Sequence, residues 1–205
     1  MTYNGRCGSP VKLMLESPSR VDDDLLRLLI SGDEGAFLAF YRRYSGAVYR
    51  FALQMSGKAE IAEEVTQDVF MVLIRDGKNY ERARGSMAAY LYGIARNFVL
   101  RCLEREKPYI TALDDPDSSH AESLATDQDV LGDLARDERI ESLRKAVLSL
   151  PPAYREVVVL CDLNEMDYAD AAGVLDCAIG TVRSRLHRAR ALLVEKMRAG
   201  ERCAV

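Results

Sequence analysis

The chain has 205 residues, of which 48% are hydrophobic and 29% charged, and its formal net charge at neutral pH is -4. This composition supplies a core and excludes collagenous and largely disordered chains, and no apolar run approaches the roughly 18 residues of a spanning helix. The five cysteines are scattered in odd number, which disfavours a secreted disulfide framework and favours reduced thiols in a cytoplasm.

Charge is strongly segregated along the chain. Residues 107–138 hold nine acids against two bases, whereas residues 179–202 hold seven Arg or Lys against two Glu. The negative total therefore does not exclude a nucleic-acid partner, because the local distribution governs binding more than the sum. We interpret the pattern as an acidic spacer ahead of a basic C-terminal module.

The first part of the chain predicts a tail and three helices. We expect residues 1–20 to be a disordered tail, and Asp22–Ile30 to form a helix with acids in its first turn. Residues 33–55 place aromatic and apolar side chains at helical steps, which predicts a second helix. After Gly57, apolar residues continue at helical steps opposite an acidic face, which predicts a third.

A loop of about ten residues is predicted between the third helix and a fourth. Residues 76–85 are bounded by glycines and lack a helical apolar period. Ser86 is a suitable N-cap for the next helix, and Pro108 is expected to end it. The polar stretch from there to about residue 136 is too poor in apolar side chains to bury much surface, so we interpret it as a flexible acidic linker.

The C-terminal part predicts four more helices, over residues 137–150, 153–162, 168–175 and about 179–198. A tight turn, Asp176–Ala178, joins the last two. The expected fold class is therefore all-α, with two helical domains on either side of the linker.

The last two predicted helices form a helix-turn-helix, in which the second helix reads duplex DNA from the major groove. Val182, Leu186, Ala189 and Leu193 give that helix a core face at steps of four, three and four. Its remaining side chains suit bases and phosphates, Arg188 and its neighbours on the reading face suiting the edges of bases. Two arginines on the flank of the helix suit phosphates. The alternative is an ordinary solvated helix surface. The candidate duplex contacts are Thr181, Arg183, Ser184, Arg185, His187, Arg188 and Arg190.

Several segments resemble the sigma-70 family of RNA polymerase subunits, in its extracytoplasmic-function group. Region 4 is resembled by three stretches: 150–157, 167–175 and 180–190. Region 2 is resembled by 35–37, by 62–70, and by Arg84–Ser86 leading to 90–97. The sequence departs from the family pattern at Tyr90, often Trp, at Ala178, commonly Pro, and at Ala171 and Gly173, which replace larger residues.

The resemblance implies a region 2-like domain over residues 21–107, the linker over 108–136, a region 4-like domain over 137–199 and a tail over 200–205. It implies a sigma factor that binds RNA polymerase core through the clamp helices and flap, recognises the minus 35 and minus 10 elements of promoter DNA and helps to melt it. An anti-sigma factor is a further partner that the resemblance leaves open. The implied core-binding residues are on the third helix: Glu60, Glu63, Glu64, Gln67 and Asp68.

Opening DNA requires cations for phosphate and aromatic or amide groups for unstacked bases. The predicted loop and the helix after it supply both, and the resemblance implies that they capture a flipped base of the minus 10 element. The alternative is that the tyrosines are core edges and the basic residues surface charges. The candidate strand contacts are Lys78, Asn79, Tyr80, Arg82, Arg84, Tyr92, Arg96, Asn97 and Arg101.

Two other functions are alternatives to this one. A stand-alone helix-turn-helix regulator would explain residues 153–198 but not the N-terminal half. The second alternative is an enzyme that uses Cys161 or Cys177 with a histidine. The sequence shows no phosphate loop and no paired catalytic carboxylates that would support it. The two histidines, His120 and His187, stand at no zinc-ligand spacing. We therefore expect a non-enzymatic protein without metal or cofactor, which does not insert into membranes.

Overall fold

The described chain is built from helices alone, which confirms the all-α prediction. The computed structural model describes residues 18–110 and 130–203. In the N-terminal half these comprise α1 (Pro18–Ile30), α2 (Glu34–Ser56), α3 (Ala59–Asp76) and α4 (Met87–Ile110). The C-terminal half comprises α5 (Val130–Leu148), α6 (Pro152–Val158), α7 (Tyr168–Leu175) and α8 (Ile179–Cys203).

Helix α2 is the centre of the N-terminal bundle. The Asp33 carboxylate caps its start by accepting a hydrogen bond from the Ala36 backbone N–H at 2.7 Å. Gly57 ends it in the left-handed region at φ 74°, where glycine has no Cβ penalty. Phe40 and Phe51, both almost wholly buried, face α3 and α4, so aromatic packing along this helix sets the positions of its neighbours.

Two short 3-10 turns, Gly77–Asn79 and Arg82–Arg84, make up most of the predicted loop between α3 and α4. The Ser86 hydroxyl then accepts from the Ala89 backbone N–H at 3.2 Å, as the N-cap prediction requires. Helix α4 continues through Pro108, so the prediction that proline ends it is wrong by two residues. A proline lacks the backbone N–H that would bond the carbonyl four residues earlier, and α4 ends two residues after it.

The C-terminal half starts earlier than predicted, because α5 begins at Val130 rather than at residue 137. The rest of the predicted acidic linker, 111–129, and residues 1–17 of the predicted tail lie outside the described residues. Helix α1 begins at Pro18, inside that tail, so its acids follow the first turn instead of lying in it as predicted. Helix α8 likewise extends through Cys203, into the predicted tail 200–205. Helix α6 runs directly into a π-helical turn, Val159–Leu163, which extends the buried apolar stripe that the sequence predicts.

The helix-turn-helix has the predicted elements. Asp167 caps α7 by accepting from the backbone N–H groups of Ala169 and Asp170, both at 2.8 Å. Asp176 ends α7 in the left-handed region at φ 49°. Ala171 on α7 and Leu186 on α8 are buried together in the core, so small side chains on the first helix allow the second to pack closely.

The two halves are packed against each other, with α7 on α4 and α5 on the end of α2. They approach closely at Gly57, where an added Cβ would stand 2.7 Å from a methyl group of Leu148. None of the described helices has the length and apolar character needed to cross a bilayer.

Candidate nucleic-acid interface

The exposed face of α8 carries the predicted duplex-reading side chains. Arg183, Ser184, His187 and Arg188 are all exposed, while Val182, Leu186 and Ala189 on the opposite face are buried. The Arg183 guanidinium lies over the Tyr168 ring, 5.8 Å from its centroid. That contact holds the guanidinium against α7 and restricts where its donors point.

The flanking candidates on α8 differ from these in their surroundings. Thr181 and Arg185 are half-buried, whereas Arg190 is exposed and forms a two-point ion pair with Asp162. Its Nη2 and Nε donate to the carboxylate at 2.6 and 3.0 Å. The hydrogen bonds and charge of Asp162 raise the pKa of Arg190 further, so the guanidinium remains charged. A DNA phosphate would have to replace this carboxylate.

Tyr80 stabilises the loop between α3 and α4. Its hydroxyl donates to the Gly85 carbonyl oxygen at 3.2 Å, and its ring packs on Tyr90 with centroids 5.4 Å apart. Burial raises the pKa of Tyr80, which keeps the hydroxyl protonated as a donor. Lys78 and Asn79 project into solvent on the same loop. The loop is thus a fixed structure with exposed polar groups.

Helix α1 anchors this loop, a role that the sequence did not suggest. The Arg82 guanidinium donates to Asp23 at 3.0 Å. The neighbouring Asp22 is buried, accepts from the Tyr44 hydroxyl at 2.6 Å and lies 3.3 Å from Nε of Arg43. Sequence reasoning assigned both acids to the helix dipole. Their partners lie between 20 and 60 positions away, and no local pattern connects them.

A cleft of about 550 Å³ opens beneath the loop. Its walls combine aromatic rings with a few polar groups, and they come from α1, α2, the loop and α4. The rings are Tyr44, Tyr80 and Tyr92, and the charged residues are Asp22, Arg43 and Arg82. Flat rings beside hydrogen-bonding groups are the chemistry that holds unstacked bases.

The candidates on α4 fall into two groups. Asn97 and Arg101 are exposed, and Arg84 before the helix is exposed and paired with Glu81 at 2.8 Å. Tyr92 and Arg96, in contrast, face the C-terminal half. Tyr92 is 6% exposed, Arg96 is half-buried, and both make hydrogen bonds to residues beyond position 150.

The acidic face of α3 is exposed as expected for a docking surface. Glu60, Glu63, Glu64 and Gln67 are exposed and Asp68 is half-buried. Sequence reasoning missed that Met71 and Ile74, exposed by 64% and 48%, continue this face by one and two helical turns. Their position in the helical period after Gln67 is the signal that could have found them. An apolar end beside a charged face is typical of protein interfaces.

One of the two cysteines considered for a catalytic role, Cys161, is poorly suited to it. Cys161 lies in the π-helical turn, half-buried, and burial raises the pKa of its thiol to about 11. The thiolate, which is the nucleophile, is therefore scarce at neutral pH.

Two family models match the chain. "Sigma-70 region 2" matches residues 40–108 and "Sigma-70, region 4" matches residues 140–193. Between them these matches include α2 from Phe40 onward, α3, α4 through Pro108, α7, and α8 through Leu193.

Curated relatives carry related names. The chain is 34% identical to the ECF RNA polymerase sigma factor SigE of Mycolicibacterium smegmatis, over 78% of this chain and 62% of that protein, so it spans less than two thirds of that relative. It is 31% identical to SigM of Mycobacterium tuberculosis, over 85% and 83%, and 27% identical to SigW of Bacillus subtilis, over 82% and 91%.

Solved structures agree with this picture. The sigma factor RpoE of Bartonella quintana, in complex with the anti-sigma factor NepR, superposes with a TM-score of 0.62 at 28% identity, over 79% of this chain and 96% of that one. CnrH, solved with the cytosolic domain of CnrY, superposes with a TM-score of 0.65 at 23% identity, over 87% and 98%, which shows the shared fold.

Proposed function

The chain belongs to the extracytoplasmic-function group of the sigma-70 family, and we propose that it directs promoter-specific initiation by RNA polymerase core. The observation that carries this proposal is the order of the two matched regions in one chain, an N-terminal bundle and a C-terminal helix-turn-helix with an exposed arginine face. A subunit that recognises two separated promoter elements needs two such modules.

The C-terminal module is proposed to read the minus 35 element. Arg183, Ser184, His187 and Arg188 present donors on one face of α8, and such a face fits the major groove. Arg185 and Arg190 lie beside it and suit the phosphates. Thr181, at the start of the helix, completes the set.

The N-terminal module is proposed to hold the minus 10 element once its strands have separated. The loop around Tyr80 and the aromatic cleft beneath it offer stacking surfaces and hydrogen-bond donors. The cations that would neutralise strand phosphates are at the loop and along α4. The strand contacts proposed are Lys78, Asn79, Tyr80, Arg82, Arg84, Tyr92, Arg96, Asn97 and Arg101.

The exposed face of α3 is proposed to dock on the clamp helices of the polymerase. Its acids, from Glu60 to Asp68, provide electrostatic complementarity that mainly sets specificity and association rate. Met71 and Ile74 extend it with apolar surface that would be desolvated on docking. The C-terminal module is proposed to contact the flap.

The proposed partners also indicate where the protein acts and what kind of contribution it makes. A polymerase subunit works in the cytoplasm beside the DNA, and it contributes binding rather than a chemical step, so the proposed role is non-catalytic. Since RpoE of Bartonella quintana was solved with an anti-sigma factor, we propose that a protein of this kind also regulates the present chain.

The alternative of a stand-alone helix-turn-helix regulator is less favourable. It accounts for α6 to α8 but gives no role to residues 40–108, which match a region of the sigma-70 family by themselves. The two hypotheses differ in a simple observation. A regulator binds its operator unaided, whereas a sigma factor binds a promoter strongly only together with core enzyme.

Transcription in vitro tests the proposal. Purified chain is mixed with sigma-free polymerase core and fragmented genomic DNA, and the 5′ ends of the transcripts are sequenced. We expect initiation at a small set of sites that share two upstream elements, and no such set with core alone. Initiation that is independent of the added chain on every template contradicts the proposal.

A further inference from the structure

A largely buried ion pair connects the two halves of the chain. Nε of Arg96 on α4 donates to Oε1 of Glu156 on α6 at 2.9 Å, and the two side chains are only 23% and 7% exposed. A buried charge is costly to leave unpaired, so each of these residues stabilises the closed arrangement only while the other is present. Arg96 is also one of the proposed strand contacts.

A second connection uses Tyr92, one helical turn before Arg96. Its hydroxyl donates to Oδ1 of Asn164 at 3.3 Å, and its ring stacks on Phe51 at 5.0 Å between centroids. The amide nitrogen of Asn164 donates to Gln54 on α2 at 2.8 Å. Asn164 thus joins two helices of the N-terminal half, and it covers the hydroxyl of Tyr92, another proposed strand contact.

A third connection lies at the start of α4. The carboxylate of Asp170, on α7, accepts hydrogen bonds from the hydroxyl of Ser86 and, at 3.4 Å, from its backbone N–H. The same carboxylate also lies close to Gly85: a Cβ added to that glycine would stand 3.2 Å from it. A helix start with a free backbone N–H and a hydroxyl is a site where phosphate binds readily.

The groups that these contacts engage have a common chemistry. A guanidinium, a backbone N–H and a hydroxyl are the usual ligands of nucleic-acid phosphates, and here two carboxylates of the C-terminal half occupy them. The reading face of α8 is not involved, because Arg183, His187 and Arg188 stay exposed in the same arrangement. The closed chain therefore covers Tyr92 and Arg96, two of the proposed strand contacts, and leaves its duplex-binding surface open.

We propose that the C-terminal half is an internal competitor of the melted promoter strand, with Glu156 and Asp170 in the places that strand phosphates would take. This inference rests on the proposed function, because it assumes that Tyr92 and Arg96 contact the strand. The two halves must separate before the strand can reach Tyr92 and Arg96. Apparent strand affinity in the free protein is then reduced by the fraction of molecules that are open.

The test measures single-strand and duplex binding by the full-length free protein. The strand probe is a fluorescein-labelled single-stranded DNA of 12 nucleotides with randomised sequence. The duplex probe is a labelled DNA of the same length that is annealed to its complement. The variants are Glu156→Gln and Asp170→Asn, each nearly isosteric with the native residue. Glu138→Gln, an exposed acid on α5, is the control for the change in net charge. Small-angle X-ray scattering measures the radius of gyration of each protein.

Relative to the control, we expect both variants to bind the strand at least about tenfold more tightly, to bind duplex equally, and to have a larger radius of gyration. Adding Arg96→Ala to Glu156→Gln should remove the gain. Equal strand affinity in the variants and the control overturns the inference, as does a gain that strand and duplex share. Failure of the wild-type chain to direct initiation with core enzyme contradicts the proposed function instead, so the two failures are distinguishable.

Discussion

Asp162, in the π-helical turn after α6, grips Arg190 of α8 through both carboxylate oxygens, at 2.6 and 3.0 Å. The pair fixes the flank of the recognition helix against the preceding element. It also supplies Arg190 with an internal partner that a DNA phosphate must replace.

Replacing Asp162 by Asn should therefore strengthen duplex binding. We expect an increase of about threefold at low salt and a steeper salt dependence, by about one in the logarithmic slope, because Arg190 gains one phosphate. Fluorescence anisotropy over a salt series measures both. The control is Glu195→Gln, which removes an exposed acid from α8 and makes the same change in net charge. An equal effect of that variant would argue against a specific role of the Asp162–Arg190 ion pair.

Arg188→Ala should weaken recognition of the upstream promoter element without changing the affinity for core enzyme. A bidentate contact between arginine and guanine contributes about 1–3 kcal/mol of discrimination, which corresponds to a loss of about 5- to 150-fold. Footprinting with holoenzyme measures the first effect and co-purification with core the second. Arg139→Ala, exposed on α5, is the control. A parallel loss of core binding would contradict the assignment.

Asp68→Arg should have the opposite effect. Charge reversal on the proposed docking face of α3 is expected to slow association with core by about tenfold at low salt, with less effect at high salt. Duplex binding by the free chain should not fall. Surface plasmon resonance on immobilised core gives the association rate, and Glu138→Arg is the matched reversal on α5. If that control slows association as much, the acidic face is not the docking surface.

Gly57→Ala should destabilise the chain by about 1–2 kcal/mol. Residue 57 is in the left-handed region at φ 74°, and an added Cβ would stand 2.7 Å from Leu148. Gly93→Ala is the matched comparison, since that glycine lies inside α4 with no atom within 4 Å of an added Cβ, and it should stabilise by about 0.5–1 kcal/mol. Thermal unfolding followed by circular dichroism should show shifts of opposite sign.

Alkylation of Cys161 should be slow in the folded chain. Burial raises its pKa from 9.0 to about 11, so at pH 8 the thiolate fraction is about a hundredfold lower than in the unfolded chain. Because the unfolded thiol ionises first, this residue's contribution to stability is present below pH 9 and is lost as the pH rises towards 11. Iodoacetamide labelling with peptide mapping measures the rate, and equal rates in folded and denatured chain would contradict the raised pKa.

The local elements were predictable because each depends on neighbours in sequence. The apolar period of α8 and the turn at Asp176 depend on residues that are close together in the sequence, and the structure has both as predicted. The contacts of Tyr92 were not predictable. An amphipathic ring suits a base or a core edge equally, and its partner Asn164 lies 72 positions away. Charge patterns likewise identified Arg190 as a cation without revealing that Asp162 faces it.

The side chain of Arg155 has a consequence for how the chain can be divided. Its guanidinium donates to the carbonyl oxygens of Leu148 and Leu150, and its Nη1 donates at 2.8 Å to that of Met55, 100 positions earlier. The last turn of α2 is therefore completed by a donor from the other half. A fragment that stops before α6 leaves that carbonyl to water, so we expect the last turn of its second helix, just before Gly57, to fray.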